Sequence, residues 1–291
     1  MNGLGIDIGG TKIAYALINN QGEIISEVKK TATPKTLDEI YNTLKNIIDS
    51  CSEFEFYAIA TAGAVNRENT CVIGSTGNLP YGYNTIDFKS LSDKKMFIEN
   101  DANCAAWAEY KIGASKGYEN SIMLTLGTGV GGGIIVDSRL LKGKSGAAGE
   151  MHFVMSRKDE RACTCGFHDC YEAYASGNGL RKTAVEIFND ENITTYDVVD
   201  LAKKNDERAL LALKTWQNDI ALGIVGLVNI FDPDCIVLSG SMEKFINTNE
   251  VEEFVNKNIV TTPTRVFHAK AGNYSGMIGA VLLANDKINK T

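Results

Sequence analysis

The stretch LGIDIGGTKIA, from Leu4 to Ala14, returns in altered form as LTLGTGVGGGII, from Leu124 to Ile135. Each copy reads as a short apolar strand, a turn of glycine and threonine, and a second apolar strand. One such turn joins the strands of many ordinary hairpins and indicates little by itself. Two copies about 120 residues apart indicate two similar halves that hold one phosphate-bearing ligand.

The residues of the first copy suit a phosphate group. Gly9 and Gly10 let backbone N–H groups approach a phosphate that a Cβ atom would block. Thr11 adds a hydroxyl donor, and Lys12 adds a positive charge. Asp7 would repel a phosphate directly, so we expect it to position a hydrated Mg²⁺ between its carboxylate and the phosphate.

The second copy supplies a further set of backbone donors. Its glycine-rich residues are Gly127, Thr128, Gly129, Gly131, Gly132 and Gly133. Gly240 follows the predicted strand Cys235–Leu238 and is another candidate for the nucleotide site, because ligands of α/β sheets bind beyond the carboxyl ends of strands.

Composition and charge exclude several classes of protein. The net charge of −7 over 291 residues argues against a broad nucleic-acid or anionic-membrane surface. The start MNGLGIDIGG lacks the basic residues of a signal peptide, and no run of about 18 apolar residues occurs, so no membrane span is expected. Four scattered cysteines, at positions 51, 71, 104 and 235, read as reduced thiols, which predicts a cytoplasmic protein.

Strands alternate with amphipathic helices in both halves, which predicts an α/β fold. A third strand is expected at Glu23–Lys29, and a closing helix at Met277–Asn285. We expect an N-terminal domain of residues 1–115 with the first turn, and a C-terminal domain of residues 116–291 with the second turn. The closing helix could pack back onto the N-terminal domain.

A catalytic carboxylate is expected where a predicted strand, Lys95–Glu99, meets a predicted helix, Ala102–Ile112. Asp101 lies at this junction and is a candidate base that takes a proton from a substrate hydroxyl during phosphoryl transfer. It is also well suited to cap the helix. Asn100, Asn103 and Asn78 are amides of the kind that recognise sugar hydroxyls, or else turn and cap residues.

A cysteine-rich loop suggests a metal site. Cys163, Cys165 and Cys170 are spaced for a thiolate-rich zinc site, and His152 or His168 could be the fourth ligand. The alternative is a group of reduced thiols. The carboxylates that flank this loop, Glu150 and Glu172, could bind sugar hydroxyls or be solvated surface charges.

Taken together, these motifs resemble the ROK family of sugar kinases. The resemblance covers most of the chain and rests on DIGGTK (7–12), NDANCAAWAE (100–109), GTGVGGG (127–133), AAGE (147–150) and CTCGFHDCYE (163–172). It implies a two-domain actin-like ATPase fold of the hexokinase type, with a cleft between the domains and adenosine on the C-terminal side. It further implies ATP with Mg²⁺, phosphorylation of a sugar 6-hydroxyl, and homodimers.

The resemblance also implies roles for particular residues. Asp101 would be the base. The sugar pocket would be lined by Gly63, Asn78, Asn100, Glu150, His152 and Glu172. Family members read Glu-x-Gly-His where this chain has Glu150-Met151-His152-Phe153, so that Phe153 takes the place of the zinc-binding histidine. Either His152 or His168 then completes the zinc site, or no zinc binds. Asp169 replaces a further family glycine.

The sugar itself is less well defined by the sequence. Segments such as IDIGGTKIAYALINNQGEI and YASGNGL resemble those of the family's bacterial N-acetylmannosamine kinases, which act in sialic acid catabolism. Glucose is the alternative substrate, followed by N-acetylglucosamine or a β-glucoside. Repressors of the family carry a helix-turn-helix domain before the first phosphate motif, which begins here at residue 4, and a non-catalytic sugar sensor would lack Asp101 or Asp7.

Overall fold

The structure, a computed structural model, describes residues 1–74, 79–151, 153–155 and 161–289. Within these ranges it has twelve strands and eight α-helices. The strands are β1 (Gly3–Ile8), β2 (Lys12–Ile18), β3 (Lys29–Ala32), β4 (Phe56–Thr61), β5 (Ala64–Val65), β6 (Val72–Gly74), β7 (Lys95–Asn100), β8 (Ser121–Leu126), β9 (Val130–Val136), β10 (Arg139–Leu140), β11 (Cys235–Ser239) and β12 (Arg265–His268). The helices are α1 (Leu37–Asp49), α2 (Asp101–Ile112), α3 (Glu172–Ala175), α4 (Gly177–Phe188), α5 (Thr195–Ala202), α6 (Glu207–Phe231), α7 (Thr248–Asn258) and α8 (Ser275–Ile288). The predicted α/β class is confirmed.

Two five-stranded sheets repeat one topology. The first has the order β3-β2-β1-β4-β7 and the second the order β10-β9-β8-β11-β12. In the first, β1 is antiparallel to β2 and parallel to β4, which is parallel to β7. In the second, β8, β11 and β12 are parallel. The two copies of the strand–turn–strand motif therefore occupy equivalent positions in the two sheets.

Two compact units make up the described chain. The first comprises Met1–Gly117, Gly133–Gly149 and Lys270–Thr291, and the second comprises Tyr118–Gly132 and Glu150–Ala269. The chain thus returns to the first unit twice, once within β9 and once after β12. The chain first leaves this unit after Gly117, close to the boundary expected near residue 116, and the segments Gly133–Gly149 and Lys270–Thr291 belong to the same unit.

Helices α2 and α8 pack closely in the first unit because glycine and small residues lie between them. A Cβ atom on Gly279 would lie 1.7 Å from the carbonyl oxygen of Cys104, so no other residue fits there without a shift of backbone. Most of α8 is buried, and its apolar side chains join those of Phe56, Ala58 and Trp107 in one core cluster. This packing holds the N-terminal ends of both helices in fixed positions.

The third strand is displaced from the predicted position. Glu23–Lys29 is not a continuous strand, and β3 begins only at Lys29. The reason is local: the hydroxyl of Ser26 accepts the N–H of Leu17 at 2.9 Å, where a backbone carbonyl would continue the ladder. Regular pairing with β2 resumes at Lys29, opposite Tyr15.

The second unit has its own core around helix α6. Trp216 is fully buried, and its Nε1–H donates to the carbonyls of Ala175 and Ser176 at 2.9 and 3.0 Å. Ile220 and Ile224 lie on the same buried side. Although α6 has 25 residues, neither it nor any other described helix combines the length and apolarity needed to span a bilayer.

Candidate active site

The carboxyl ends of three parallel strands are in register at one edge of the first sheet. Ile8 at the end of β1 pairs with Thr61 at the end of β4, and Thr61 pairs with Asn100 at the end of β7. The first glycine turn (Gly9–Thr11), Gly63 and Asp101 therefore follow neighbouring strand ends. This is the edge at which α/β sheets bind ligands.

The first glycine turn is closed by backbone hydrogen bonds. The Gly9 N–H donates to the carbonyl of Lys12 at 3.0 Å, and a Cβ atom on Gly9 would lie 3.3 Å from that oxygen. Thr33 fixes the turn from outside, because its hydroxyl donates to the Gly9 carbonyl at 2.6 Å and its N–H donates to Thr11 at 3.1 Å. Thr11 and Lys12 remain exposed, as a phosphate-binding role requires.

Asp7 lies under this turn, in β1, beside Ala14 of β2 and Ala60 of β4. The pKa of its carboxyl is raised to about 7: burial is the largest cause, the negative charge of Asp101 acts in the same direction, and Lys12 opposes both. Helix α8 begins against Asp7, since a Cβ atom on Gly276 would lie 2.9 Å from its Oδ2. Two carboxylates close enough to perturb one another are a donor set that suits a divalent cation with oxygen ligands.

Asp101 is the first residue of α2, and the helix is capped by its neighbour. The expectation that Asp101 could be the cap is wrong: the Oδ1 of Asn100 accepts the N–H of Asn103 at 3.0 Å. Asp101 accepts the N–H of Ala102 at 2.9 Å. Burial raises the pKa of Asp101, although its hydrogen bond with Ala102 acts in the opposite direction. The carboxylate is thus left for chemistry other than capping.

The predicted sugar-binding residues Asn100 and Gly63 contact each other. The Nδ2 of Asn100 donates to the Gly63 carbonyl at 3.1 Å, and Gly63 adopts φ +103°, in the region that favours glycine. The amide of Asn100 therefore fixes the start of α2 against the end of β4. Both residues lie at the strand ends beside Asp101.

In the second unit, the second glycine turn (Gly127–Gly129) has a similar setting. The Gly127 N–H donates to the Gly129 carbonyl at 3.0 Å, and the Gly127 carbonyl accepts the N–H of Gly177, the first residue of α4, at 2.8 Å. Thr128 is exposed and Gly131 is partly buried. Gly240 follows β11 with φ +94°, and a Cβ atom there would lie 2.3 Å from the Leu126 carbonyl.

Glu172 links this turn to the cysteine-rich loop. Its Oε2 accepts the N–H of Val130 at 3.0 Å, and a Cβ atom on Gly129 would lie 2.4 Å from the same oxygen. Its Oε1 accepts the hydroxyl of Thr164 at 2.8 Å. The carboxylate therefore contacts the second glycine turn directly, a contact that the sequence did not indicate.

The three loop cysteines come together. The sulfur atoms of Cys163, Cys165 and Cys170 lie within 4.8 Å of one another, and these three form the group of metal-ligand type found among the described residues. Exposed His168 is not a member of that group. Phe153 stacks on Tyr171, with ring centroids 4.9 Å apart, and so offers an aromatic surface where the resemblance implies a histidine.

Asp169 fits its unusual place because its side chain compensates for the backbone. It adopts φ +58°, which glycine would take without strain. Its Oδ1 accepts the N–H of Arg161 at 3.0 Å and the hydroxyl of Tyr174 at 2.5 Å. The loop thus keeps the shape that a glycine would allow.

Three further predicted sugar ligands stay predictions. Asn78 and His152 lie outside the described residues. Glu150 is exposed, at the start of the second segment of the second unit.

Several residues of the site were not predicted. Glu99, a buried carboxylate, accepts hydrogen bonds from Asn100 and Asn103. A charged residue inside the otherwise apolar strand β7 was a usable signal. Gly276 and Gly177 begin helices against Asp7 and Gly127, and glycine next to a predicted helix start gave a weaker signal. No local pattern pointed to Lys142, which pairs with Glu99.

Comparisons with known proteins identify similar chains. The family model described as ROK family matches residues 3–287. The chain is 30% identical to a glucokinase of Streptomyces coelicolor over 97% of each chain. It is also 30% identical to an N-acetylmannosamine kinase of Haemophilus influenzae, over 98% of this chain and 96% of the relative.

A solved structure shows the same fold. The ROK family glucokinase of Streptomyces griseus, in complex with glucose and AMPPNP, superposes with a TM-score of 0.80 at 28% identity, over 98% of this chain and all of that one. The fold and these matches define an ATP-dependent sugar kinase of the hexokinase type. The chain belongs to the ROK family, which confirms the resemblance seen in its motifs.

Proposed function

We propose that this chain transfers the γ-phosphoryl group of ATP to the 6-hydroxyl of a hexose, with N-acetylmannosamine as the favoured substrate. One observation carries the proposal: the first glycine turn follows β1 and Asp101 follows β7, the two strands that flank β4 in one sheet, and the charge of Asp101 raises the pKa of Asp7. A proton-accepting carboxylate beside a phosphate-binding turn is the arrangement that phosphoryl transfer to an alcohol needs.

In this proposal Asp101 accepts the proton of the 6-hydroxyl while that oxygen forms a bond to the γ-phosphorus. The bond from phosphorus to the bridging oxygen of ATP breaks, and ADP leaves with the electron pair. Asp101 suits the role because burial raises its pKa, which makes it a better base than an exposed aspartate while it is ionised. Asn100 and Gly63 place the sugar next to Asp101, together with Asn78, Glu150, His152 and Glu172.

The nucleotide is held by both glycine turns. Gly9, Gly10, Thr11 and Lys12 receive phosphate oxygens in the first unit, and Thr128, Gly129, Gly131 and Gly240 do so in the second. Asp7 would hold Mg²⁺ through water, and the ion would neutralise charge on the phosphate oxygens. The glycines at these positions leave the backbone accessible, and the pair of carboxylates suits the cation.

The choice of sugar rests on similarity rather than on described contacts. Segments of the sequence resemble N-acetylmannosamine kinases, and one such relative aligns over nearly the whole chain. Glucose is the second candidate, because a glucokinase is just as similar. A pocket for an acetamido sugar needs room beside the second carbon of the sugar, whereas a pocket for glucose does not.

The deciding experiment is an assay of ADP release over a panel of N-acetylmannosamine, N-acetylglucosamine, glucose, mannose and fructose. The proposal expects sugar-dependent ADP release, with the highest kcat/KM for N-acetylmannosamine. A preference for glucose would replace the substrate and leave the kinase intact. ADP release that no sugar increases would refute phosphoryl transfer to these hexoses.

Zinc is a separate part of the proposal. Cys163, Cys165 and Cys170 offer three thiolates in one group, and thiolates are preferred zinc ligands. The fourth ligand would be His152 or His168. We expect close to one zinc per chain by elemental analysis of purified protein, and a loss of zinc in Cys165→Ser. A zinc content below about a tenth of an equivalent per chain would refute the zinc site.

A further inference from the structure

A buried carboxylate lies directly behind the turn that carries Asp101. Glu99 is 1% exposed, and its Oε1 accepts the N–H of Asn100 at 2.8 Å and the Nδ2 of Asn103 at 3.2 Å. Asn100 precedes Asp101, and Asn103 lies in the first turn of α2. Glu99 therefore holds the chain on both sides of Asp101.

The other oxygen of Glu99 receives two more groups. The Nδ2 of Asn69 donates to Oε2 at 2.8 Å, and the ammonium of Lys142 forms an ion pair with the same oxygen. The Lys142 side chain is only 14% exposed. Removing two charges from water opposes their attraction, so a buried pair adds little net stability. What such a pair does provide is a defined geometry between the segments that carry it.

Lys142 is the first residue of a tight loop, residues 142–149, within the first unit. The N–H of Ala148 donates back to the Lys142 carbonyl at 3.4 Å, and Arg67 donates to the Gly143 carbonyl at 2.7 Å. Gly146 has φ +110°, and a Cβ atom on it would lie 2.0 Å from the Val65 carbonyl. The loop is thus anchored at Lys142 and held against residues 65–67.

We propose that Lys142 is a positioning residue: through its ion pair with Glu99 it couples the loop 142–149 to the turn that carries Asp101. The inference rests on the proposed function, in which Asp101 is the base and the residue after this loop, Glu150, binds sugar. Loss of the Lys142 ammonium would leave Asp101 itself unchanged, but its carboxylate would be free to shift position. Displacements of about 1 Å at a reacting group lower rates by roughly a hundredfold.

The test compares Lys142→Met with Lys144→Met in the full-length chain. Lys144 lies in the same loop and is exposed, which makes it the matched control. With the preferred sugar of the panel, Lys142→Met should lower kcat by about tenfold or more and raise the sugar KM, while the ATP KM changes by less than about twofold. Lys142→Arg keeps the charge and should recover most of the activity. Lys144→Met should match the wild type.

A double variant separates positioning from stability. Lys142→Met removes the ion-pair partner of the buried Glu99, so its melting temperature should fall, and Glu99→Gln combined with Lys142→Met should recover part of the loss. We expect kcat to stay low in the double variant. The inference is overturned if Lys142→Met keeps wild-type kcat, if the double variant recovers melting temperature and kcat together, or if ATP and sugar KM values rise in parallel. Failure of the wild type to use any sugar would instead refute the proposed function.

Discussion

Asp101 is the first residue of helix α2, but its side chain does not cap the helix. Asn100 is the N-cap, and the carboxylate of Asp101 accepts the N–H of its neighbour Ala102. Burial raises the pKa of Asp101. The order Asn-Asp at the strand–helix junction places the cap on Asn100 and leaves Asp101 as the first residue of α2.

Substitution of Asp101 provides the most direct prediction. Asp101→Asn should lower kcat by roughly 10²–10⁴-fold and leave sugar binding measurable, because the amide keeps the shape but accepts no proton. The base acts in its ionised form, so kcat/KM of the wild type should fall as the pH is lowered through the raised pKa of Asp101. Steady-state kinetics over a pH series checks both. Near-normal turnover of Asp101→Asn, or a wild-type kcat/KM that does not fall as the pH is lowered, would contradict the assignment.

Substitution of Gly276 by alanine is expected to lower activity without lowering stability. In Gly276→Ala the new methyl group would lie 2.9 Å from the Oδ2 of Asp7, which must move. We expect kcat to fall by about tenfold and the Mg²⁺ concentration for half-maximal rate to rise, while the melting temperature holds or increases, because alanine favours helices. Gly226→Ala is the control, since nothing lies within 4 Å of a Cβ atom there. Equal kcat values for the two variants would show that Asp7 tolerates the shift.

Among the elements, helix α4 begins where the second glycine turn needs support. Gly177 donates its N–H to the Gly127 carbonyl, and a Cβ atom on Gly177 would lie 3.0 Å from that oxygen. The turn is thus fixed by a helix about 50 residues further along the chain. The cysteine-rich loop reaches the same turn through Glu172.

Gly177→Ala should therefore affect the nucleotide more than the sugar. The methyl group would push on the Gly127 carbonyl and displace the backbone donors of the second glycine turn. We expect the ATP KM to rise by about three- to tenfold, with the sugar KM changed by less than about twofold. Initial rates with each substrate varied in turn provide the measurement. A parallel rise in both KM values would point to a loosened second unit instead.

The elements that could be predicted are those specified by neighbouring residues. The strands β1, β2, β8 and β9 follow from apolar runs around glycine turns, and α1 from its apolar face and its Thr36 cap. The third strand could not be placed, because the hydroxyl of Ser26 interrupts the ladder. Glu99 with Lys142, and Asp7 with Gly276, depend on packing between segments far apart in sequence, for which no local pattern exists.

At the scale of the whole molecule, the ionised form of the partly buried Asp7 carboxyl lowers stability. Its pKa is raised to about 7 in the folded state, from 3.8, so the folded protein holds this proton more tightly than the unfolded chain. The stabilising contribution of the protonated carboxyl is complete below the unfolded pKa and is lost as the pH rises through about 7.

The homodimer implied by the resemblance stays a prediction. Light scattering tests it, because a homodimer has twice the mass of one chain.

The Asp7→Asn variant tests the pH dependence of stability that is attributed to Asp7. It carries no charge to bury, so without Mg²⁺ its melting temperature should exceed that of the wild type at about pH 8, and the gap should narrow at about pH 5. Thermal unfolding in a chelator at both pH values is the measurement. The same variant should lose kinase activity. A gap that is equal at both pH values would show that Asp7 is not the group responsible.

Helix α8 supplies a wall of the first unit, although its residues are among the last of the described chain to be made. While a ribosome is still synthesising the second unit, the apolar surface of α2 around Cys104 and Ala108 has no cover. The first unit therefore cannot mature in the order of its synthesis. Its nascent form should depend on chaperones until residue 288 has left the exit tunnel.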